Sequence, residues 1–140
     1  MILLDTNVLL YAVGGDHPLR APCKSIVGAV GSSAIEGVVT DIILAEFLHG
    51  RSRRTSRQEA TALVASIVGF VADVLPVTPA ARDQALAIYL GSERLSSNDA
   101  FIAAVALDAG ATLVSADRDF HDVIRLDLVE PATLAAELAP

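Results

Sequence analysis

The sequence predicts an α/β protein in which a small, mostly parallel sheet is flanked by helices. Apolar runs such as residues 1–4 and 111–114 lack polar alternation, which is typical of strands that are buried on both faces. Segments with helical periodicity separate these runs, so strands and helices alternate along the chain. We therefore expect four to five strands, with the helices packed against them.

The composition suits one domain that spans residues 1–140. Hydrophobic residues make up 53% of the chain and aromatic residues only 4%, so Ala, Val, Leu and Ile must form the core. A chain of this length buries roughly two-thirds of its unfolded surface. No apolar run approaches the ~20 residues of a membrane span, and the single Cys23 excludes a disulfide framework. We expect a cytoplasmic protein that does not contact a membrane.

Turn residues divide the first half of the chain into elements. Gly14 and Gly15 are expected to end the first helix. Pro18 and Pro22 are typical of the first turn of the next helix, where a missing N–H does no harm. The predicted elements are strand 2–5, helix 7–13, a helix to about residue 30, strand 38–40, helix 41–49 and helix 58–72.

Cap residues divide the second half in the same way. Pro79 follows Thr78 in a typical helix start, Ser97 is the expected cap of a later helix, and Gly110 is its expected stop. The predicted elements are strand 74–77, helix 79–90, helix 98–109, strand 112–115, a short helix near 120–123, strand 126–129 and a last helical turn from 131.

Two of the predicted strands run directly into acidic residues. Asp5 follows the apolar residues 2–4, and Asp117 comes shortly after strand 112–115. In open α/β sheets, ligands bind outside the carboxyl ends of the strands. Two carboxylates delivered to that edge predict a negative pocket, which at neutral pH requires a cation.

Two further acids lie within apolar helical stripes. Glu46 shares a stripe with Ile43 and Phe47, and the stripe of Asp99 continues through Ile102. A buried carboxylate is unfavourable unless it is paired or bound to a metal. Two simpler interpretations remain open: Glu46 faces water, or Asp99 only complements the dipole in the first turn of its helix.

Together the four acids favour a metal site. Crowded carboxylates raise one another's pKa unless divalent cations neutralise them. Oxygen ligands without Cys or paired His favour Mg²⁺ or Mn²⁺ over Zn²⁺. Such sites bind substrate phosphates and activate water for displacement at phosphorus.

Four of the ten basic residues form a cluster at positions 51–57, although the net charge of the chain is −7. A cluster of Arg can contact the phosphates of RNA through the planar guanidinium groups. It can equally be a solvated loop between two helices. The residues of this candidate RNA-binding cluster are Arg51, Arg53, Arg54 and Arg57.

In its motifs the chain resembles the PIN-domain ribonucleases, and among them the VapC-type toxins of bacterial toxin–antitoxin pairs. The resemblance runs from Ile2 to about Glu130. It rests on the order and spacing of four short motifs: LDTNVL at 4–9, LAE at 44–46, NDAFIAA at 98–104 and LVSADRDF at 113–120.

This resemblance implies a PIN-like α/β/α sandwich and a Mg²⁺- or Mn²⁺-dependent endoribonuclease that inhibits translation by cleaving tRNA or ribosomal RNA. It implies that metal is bound by Asp5, Glu46, Asp99 and Asp117, and that ligands or waters are oriented by Thr6, Asn7 and Ser115. Asp119 lies near the same strand end, as a second candidate ligand, an outer residue or the cap of a helix at Phe120.

The resemblance also implies a cognate antitoxin that covers the active site, and a homodimer. The segment 59–73 carries no charge between its ends and is largely apolar. It fits such an interface, because a helix that is apolar all round is buried on every side. The alternative is a helix in the centre of the core.

Two other classes of Mg²⁺-dependent protein with strand-end acids fit the sequence less well. A Mg²⁺-dependent phosphotransfer enzyme that begins with a strand-end Asp needs a second Asp two residues later, where this chain has Asn7. A receiver domain needs a Lys on a late strand, and Lys24 is early and helical. A non-catalytic metal- or RNA-binding module with the same fold is the remaining alternative.

Overall fold

The computed structural model describes all residues, 1–140. Its centre is a five-stranded sheet in which every neighbouring pair is parallel, in the order β3-β2-β1-β4-β5. The prediction of a small parallel sheet is confirmed. The strands are β1 Ile2–Leu4, β2 Gly37–Thr40, β3 Asp73–Leu75, β4 Thr112–Val114 and β5 Leu128–Val129.

Seven α-helices and one 3₁₀ helix connect and follow these strands. Their pairwise packing joins α1 to α2, α3 to α4, α5 to α6, and α2 to α7. The helices are α1 Thr6–Val13, α2 Arg20–Gly31, α3 Asp41–Ser52, α4 Arg57–Phe70, α5 Pro79–Gly91, α6 Ser97–Ala109, the 3₁₀ helix Arg118–Asp122 and α7 Pro131–Glu137.

The strand order creates a switch point beside β1. From β1 the chain moves to β2 and β3 on one side, and it then returns to β4 and β5 on the other. Because parallel crossovers are right-handed, the connecting helices change face at this reversal, and a crevice opens at the carboxyl ends of β1 and β4. Leu4 pairs with Val114 in register, so the acids that follow these two strands meet at that crevice.

The core fills the space between the sheet and the helices. Leu3, Leu4 and Leu113 are fully buried in the central strands, and Phe47 and Phe120 are the largest side chains with almost no exposure. Phe47 lies on α3 and Phe120 on the 3₁₀ helix, so both elements that carry or adjoin predicted site residues are anchored by a buried ring. Such anchoring limits the positions that neighbouring site residues can adopt.

Several predicted boundaries were wrong by a few residues. The cap of α6 is Ser96 rather than Ser97, because the Ser96 hydroxyl accepts a hydrogen bond from the Asp99 N–H at 3.1 Å. Gly110 ends the helix as predicted, with a left-handed φ of 63°. Helix α3 continues past the expected end at 49 to Ser52. Strand β3 ends at Leu75 because Pro76 offers no N–H to the sheet.

The interpretation of segment 59–73 as a central core helix was wrong. Helix α4 packs on α3, and it leads to β3 at the edge of the sheet. Only Ala60 and Ile67 are buried in α4, and Val68 is 46% exposed. A helix in this outer position has one covered face, so its role in an interface stays a prediction. No helix of the protein has the length and apolar character that a membrane crossing requires.

Candidate active site

The four predicted acids lie around one cleft at the carboxyl edge of the sheet, which we call the carboxylate cleft. Asp5 follows β1 and Asp117 follows β4, while α3 and α6 bring Glu46 and Asp99 from the helical layer. The residues that line the cleft are Asp5, Thr6, Asn7, Leu10, Ala45, Glu46, His49, Asn98, Asp99 and Asp117.

Asp5 is the most deeply buried of these acids, with 4% of its surface exposed. It caps α1, since its Oδ1 accepts a hydrogen bond from the Thr6 N–H at 2.7 Å. Its Oδ2 accepts from the Ser115 hydroxyl and from the Asn7 amide, each at 2.6 Å. The carboxylate is therefore fixed in place by three donors.

Burial raises the pKa of Asp5 to about 6, and the charges of Asp99 and Glu46 also raise it. The hydrogen bonds from Ser115 and from the Thr6 N–H act in the opposite direction, but burial outweighs them. Without a cation, part of the Asp5 population near pH 6 is protonated.

Ser115 joins the ends of β1 and β4. It is 1% exposed, donates to Asp5, and accepts from the Asp117 N–H at 3.0 Å and the Asn7 amide at 3.1 Å. Asn7 also accepts from the Ala116 N–H at 3.2 Å. Asn7 and Ser115 thus hold Asp5 and the backbone before Asp117 in a fixed relation.

Glu46 turns into the cleft and is half-buried. Its Oε2 accepts from the Thr6 hydroxyl at 2.6 Å, and its Oε1 accepts from the Asn98 amide at 2.8 Å. Helix α3 is therefore oriented so that this carboxylate meets α1 and α6 rather than bulk water alone.

Asp99 serves two purposes in the first turn of α6. It forms a reciprocal pair with Ser96, whose hydroxyl donates to Asp99 Oδ2 at 2.7 Å and accepts from the Asp99 N–H. Burial raises the pKa of Asp99, and the charges of Asp117 and Glu46 raise it further, against the lowering effect of Ser96. The side chain is thus both a first-turn helix residue and a wall of the cleft.

Asp117 and Asp119 occupy different places. Asp117 lines the cleft, whereas Asp119 does not. The expectation that Asp119 caps the following helix was wrong, because Asp117 is the cap: its Oδ1 accepts from the Asp119 N–H at 2.9 Å. Only one oxygen of Asp117 is used in this way, so the other is available to a ligand.

The donor set of the cleft fits a hard divalent cation. Its charged groups are four carboxylates, and no Lys, Arg or Cys lines it. The raised pKa values of Asp5 and Asp99 show the repulsion and desolvation that a bound cation would relieve. In this structure no three of the acids are grouped closely enough to hold one metal ion, so metal binding requires side chains of the cleft to move.

Two cleft residues were missed by the sequence reasoning. His49 lies three residues after Glu46, on the same face of α3. This spacing could have placed His49 beside Glu46 from the sequence alone. Asn98 precedes Asp99 directly and donates to Glu46, a role that becomes visible only when α3 and α6 are brought together. Both side chains are exposed at the mouth of the cleft.

The predicted Arg cluster is divided by the structure. Arg51 and Arg54 line a second cleft beside the first, which we call the arginine cleft, whereas Arg53 and Arg57 line neither. Arg51 lies in the last turn of α3, and its Nη2 donates to Glu59 at 2.8 Å. The other three Arg side chains are exposed.

Comparison with known proteins identifies the family. The profile of the family described as PIN domain matches residues 2–126. The chain therefore belongs to the PIN-domain family. Ribonuclease VapC7 of Mycobacterium tuberculosis is 41% identical to it over 125 residues, covering 88% of this chain and 86% of that protein. Ribonuclease VapC13 of the same species is 32% identical over 122 residues, covering 86% of this chain and 92% of that protein.

Solved structures share the fold. VapBC2 from Rickettsia felis, bound to a DNA fragment from its promoter, aligns with a TM-score of 0.73 at 21% identity, covering 93% of this chain and 98% of that chain. DNA-bound VapBC from Salmonella typhimurium aligns with a TM-score of 0.74 at 17% identity, covering 94% of this chain and 99% of that chain. The likeness confirms the predicted PIN-like α/β/α sandwich.

Proposed function

We propose that this chain is a Mg²⁺- or Mn²⁺-dependent endoribonuclease and the toxin of a toxin–antitoxin pair. The observation that carries the proposal is the convergence of four carboxylates, from two strand ends and two helices, on one cleft at the switch point of the sheet. Membership of the PIN-domain family and the names of the VapC relatives support the same activity.

In this proposal the cation is held by Asp5, Glu46, Asp99 and Asp117. When bound, it would lower the pKa of the attacking water and shield the negative charge of the scissile phosphate. Ser115 and Asn7 position the Asp5 carboxylate through their hydrogen bonds, and Thr6 and Asn98 position Glu46 in the same way. Such outer contacts commonly change metal affinity or activity by about 10- to 100-fold when they are removed.

Cleavage of a labelled RNA by the purified chain tests this function. We expect cleavage with Mg²⁺ or Mn²⁺, none with EDTA, and products that carry 5′-phosphate and 3′-hydroxyl ends. Asp5→Asn should reduce the rate by at least about 100-fold while the circular dichroism spectrum stays unchanged. Products with 2′,3′-cyclic phosphate ends would contradict attack by water.

The same preparation tests the alternative of a non-catalytic binding module. A cation that raises the melting temperature without any turnover, on tRNA, ribosomal RNA or unstructured RNA, would overturn the nuclease proposal. Turnover that disappears in Asp5→Asn would exclude the alternative.

We also propose that the substrate is a tRNA or ribosomal RNA, which implies a cytoplasmic protein, and that an antitoxin covers the carboxylate cleft. The likeness of this chain to VapBC2 from Rickettsia felis and VapBC from Salmonella typhimurium supports the second point. Sequencing of RNA ends after induced expression would identify the substrate. Co-expression with the product of a neighbouring gene should suppress cleavage if that product is the antitoxin.

Exposed apolar side chains support the proposed homodimer. Leu86, Tyr89 and Leu90 on α5 are 57%, 51% and 89% exposed, and an apolar patch of this kind is typical of an interaction surface. Light scattering should give twice the monomer mass. A monomer at all concentrations tested would contradict this part of the proposal.

A further inference from the structure

The arginine cleft is a separate cavity that opens beside the carboxylate cleft. It has a volume of about 490 Å³, which lies within the range of small-ligand sites. The two clefts have Asn7 and Leu10 in their shared wall. A strand of RNA whose scissile phosphate lies at the four carboxylates can therefore place a neighbouring nucleotide in the arginine cleft.

The basic side of this cleft offers donors that suit a phosphate. Arg51 is only 15% exposed, and one edge of its guanidinium is bound to Glu59. Its Nε is buried and has no hydrogen-bond partner in the protein, so the protein itself does not satisfy all the donors of this guanidinium. Arg54 adds a second, exposed guanidinium. Asp16 is the one carboxylate among the lining residues.

An aromatic pair lies on another side of the same cleft. The rings of Tyr11 and His17 are stacked, with centroids 4.1 Å apart and an angle of 11° between their planes. The His17 ring is oriented by its Nδ1, which accepts a hydrogen bond from the Leu19 N–H at 3.1 Å. Because His17 is exposed, this pre-formed stack can be extended by a nucleobase.

We infer that the arginine cleft is a nucleotide subsite for the RNA next to the cleaved bond. Arg51 and Arg54 contact its phosphate, and the base stacks on the Tyr11–His17 pair. This inference rests on the proposed ribonuclease function and adds a position at which the enzyme selects its cleavage site. A stack accepts any base, so the subsite requires an unpaired nucleotide rather than a particular sequence.

Binding of a fluorescent single-stranded RNA to the inactive Asp5→Asn protein tests the phosphate contact. We expect Arg54→Ala to weaken binding by about 5- to 10-fold and to reduce the slope of log affinity against log salt by about one. Arg82→Ala is the matched control, because it removes the same charge from an exposed site on α5. An equal loss for Arg53→Ala and Arg54→Ala would overturn the inference in favour of a diffuse basic loop.

The stacking contact has its own test. His17→Ala should weaken binding of the intact RNA by about 5-fold or more, but not binding of an RNA that is abasic at the nucleotide beside the cleavage site. In the active protein both His17→Ala and Arg54→Ala should raise KM with kcat nearly unchanged. If both variants have the KM of the wild type, the inferred subsite is wrong, but the proposed nuclease function is unaffected.

Other outcomes separate this inference from the proposed function. A wild-type chain that neither cleaves nor binds RNA refutes the function itself. Variants that keep wild-type RNA affinity but lose inhibition by the antitoxin would assign the cleft to the protein partner, which would also overturn the subsite.

Discussion

The carboxylate cleft and the arginine cleft adjoin at Asn7 and Leu10, yet they are built in opposite ways. The first is formed at strand ends and in helices, and its central residues Asp5 and Ser115 are 4% and 1% exposed. The second is formed by residues of α1 and of the last turn of α3 and by the loops that follow these two helices, where His17 and Arg54 are exposed. The proposed chemistry thus lies at buried strand ends and on helices. The proposed recognition combines the helix residues Tyr11 and Arg51 with exposed loop residues, which commonly carry binding functions in enzymes.

The two clefts also differ in how their surroundings shift the pKa values of nearby carboxyl groups. In the carboxylate cleft, burial raises the pKa values of Asp5 and Asp99, and the neighbouring negative charges raise them further. Beside the arginine cleft, the Arg51 guanidinium lowers the pKa of the exposed Glu59. The negative charges of the carboxylate cleft have no positive partner in the protein, whereas one positive charge of the arginine cleft, that of Arg51, is already paired with Glu59.

The largest expected effect distinguishes Asp117 from Asp119. Asp117→Asn should reduce RNA cleavage by about 100-fold or more, because it removes a carboxylate of the proposed metal site. The fold should survive, since Asn replaces Asp well as a helix cap. Asp119→Asn is the matched control and should stay within about 3-fold of wild type, because its side chain lies outside the cleft. An inactive Asp119→Asn beside an active Asp117→Asn would reverse the assignment.

A second prediction concerns the stability of the metal-free protein. Asp5 has a folded-state pKa of about 6, against an ordinary value of 3.8. Between these values the unfolded chain loses a proton that the folded protein keeps, so the free energy of unfolding should fall as the pH rises. The shift corresponds to about 3 kcal/mol, lost between about pH 4 and 6 and then constant. Asp99 acts in the same direction.

Urea denaturation in EDTA at several pH values measures this effect. Relative to Asp5→Asn, the unfolding free energy of the wild type should fall as the pH rises from about 4 to 6, because the amide of the variant does not titrate. Mg²⁺ at pH 7.5 should restore stability to wild type and much less to the variant. A difference that is the same at pH 4 and pH 7 would contradict the buried, repelled state of Asp5.

The acidic region could be predicted from the sequence because its signals are local. Asp5 ends an apolar strand, and Glu46 and Asp99 interrupt apolar helical stripes, so each is anomalous within a few residues of itself. Parallel strands then bring the ends of β1 and β4 together whatever the intervening sequence. The cap at Ser96 rather than Ser97 was not predictable, since two adjacent serines are equally suitable by type.

The sequence could not show which of the four arginines line the arginine cleft. Four arginines in seven positions give no sign that Arg51 is pinned by Glu59 while Arg54 opens into a cleft. The stack of Tyr11 on His17 depends on the path of the loop between them, which has no periodicity. The sequence left open whether α4 is an interface helix or a core helix, because apolar composition shows which residues can be covered, but not which faces have a neighbour.

Ser115→Ala is expected to have an intermediate effect on the acidic region. It removes the donor to Asp5 and leaves the Asp117 N–H without its acceptor, so we expect a loss of about 1–3 kcal/mol in unfolding free energy. Because the hydrogen bond from Ser115 lowers the pKa of Asp5, that pKa should rise further. Ser96→Ala is the control, because Ser96 is the exposed cap of α6. It should lower the unfolding free energy by a smaller amount, about 1 kcal/mol. A larger loss in Ser96→Ala would refute the central place given to Ser115.

The smallest effect is expected for Glu59→Gln. This variant tests whether the ion pair with Glu59 keeps the Arg51 guanidinium away from RNA or holds it in position to bind RNA. The pair is partly exposed, so the melting temperature should change by no more than roughly 2 °C. RNA affinity should rise by about 2- to 3-fold, because the guanidinium is freed for phosphate and a nearby negative charge is lost. Glu137→Gln makes the same change in net charge at an exposed site on α7, which packs on α2, and should have less effect. A fall in affinity would instead mean that Glu59 holds Arg51 in its binding position, and the arginine cleft would then be as pre-organised as the carboxylate cleft.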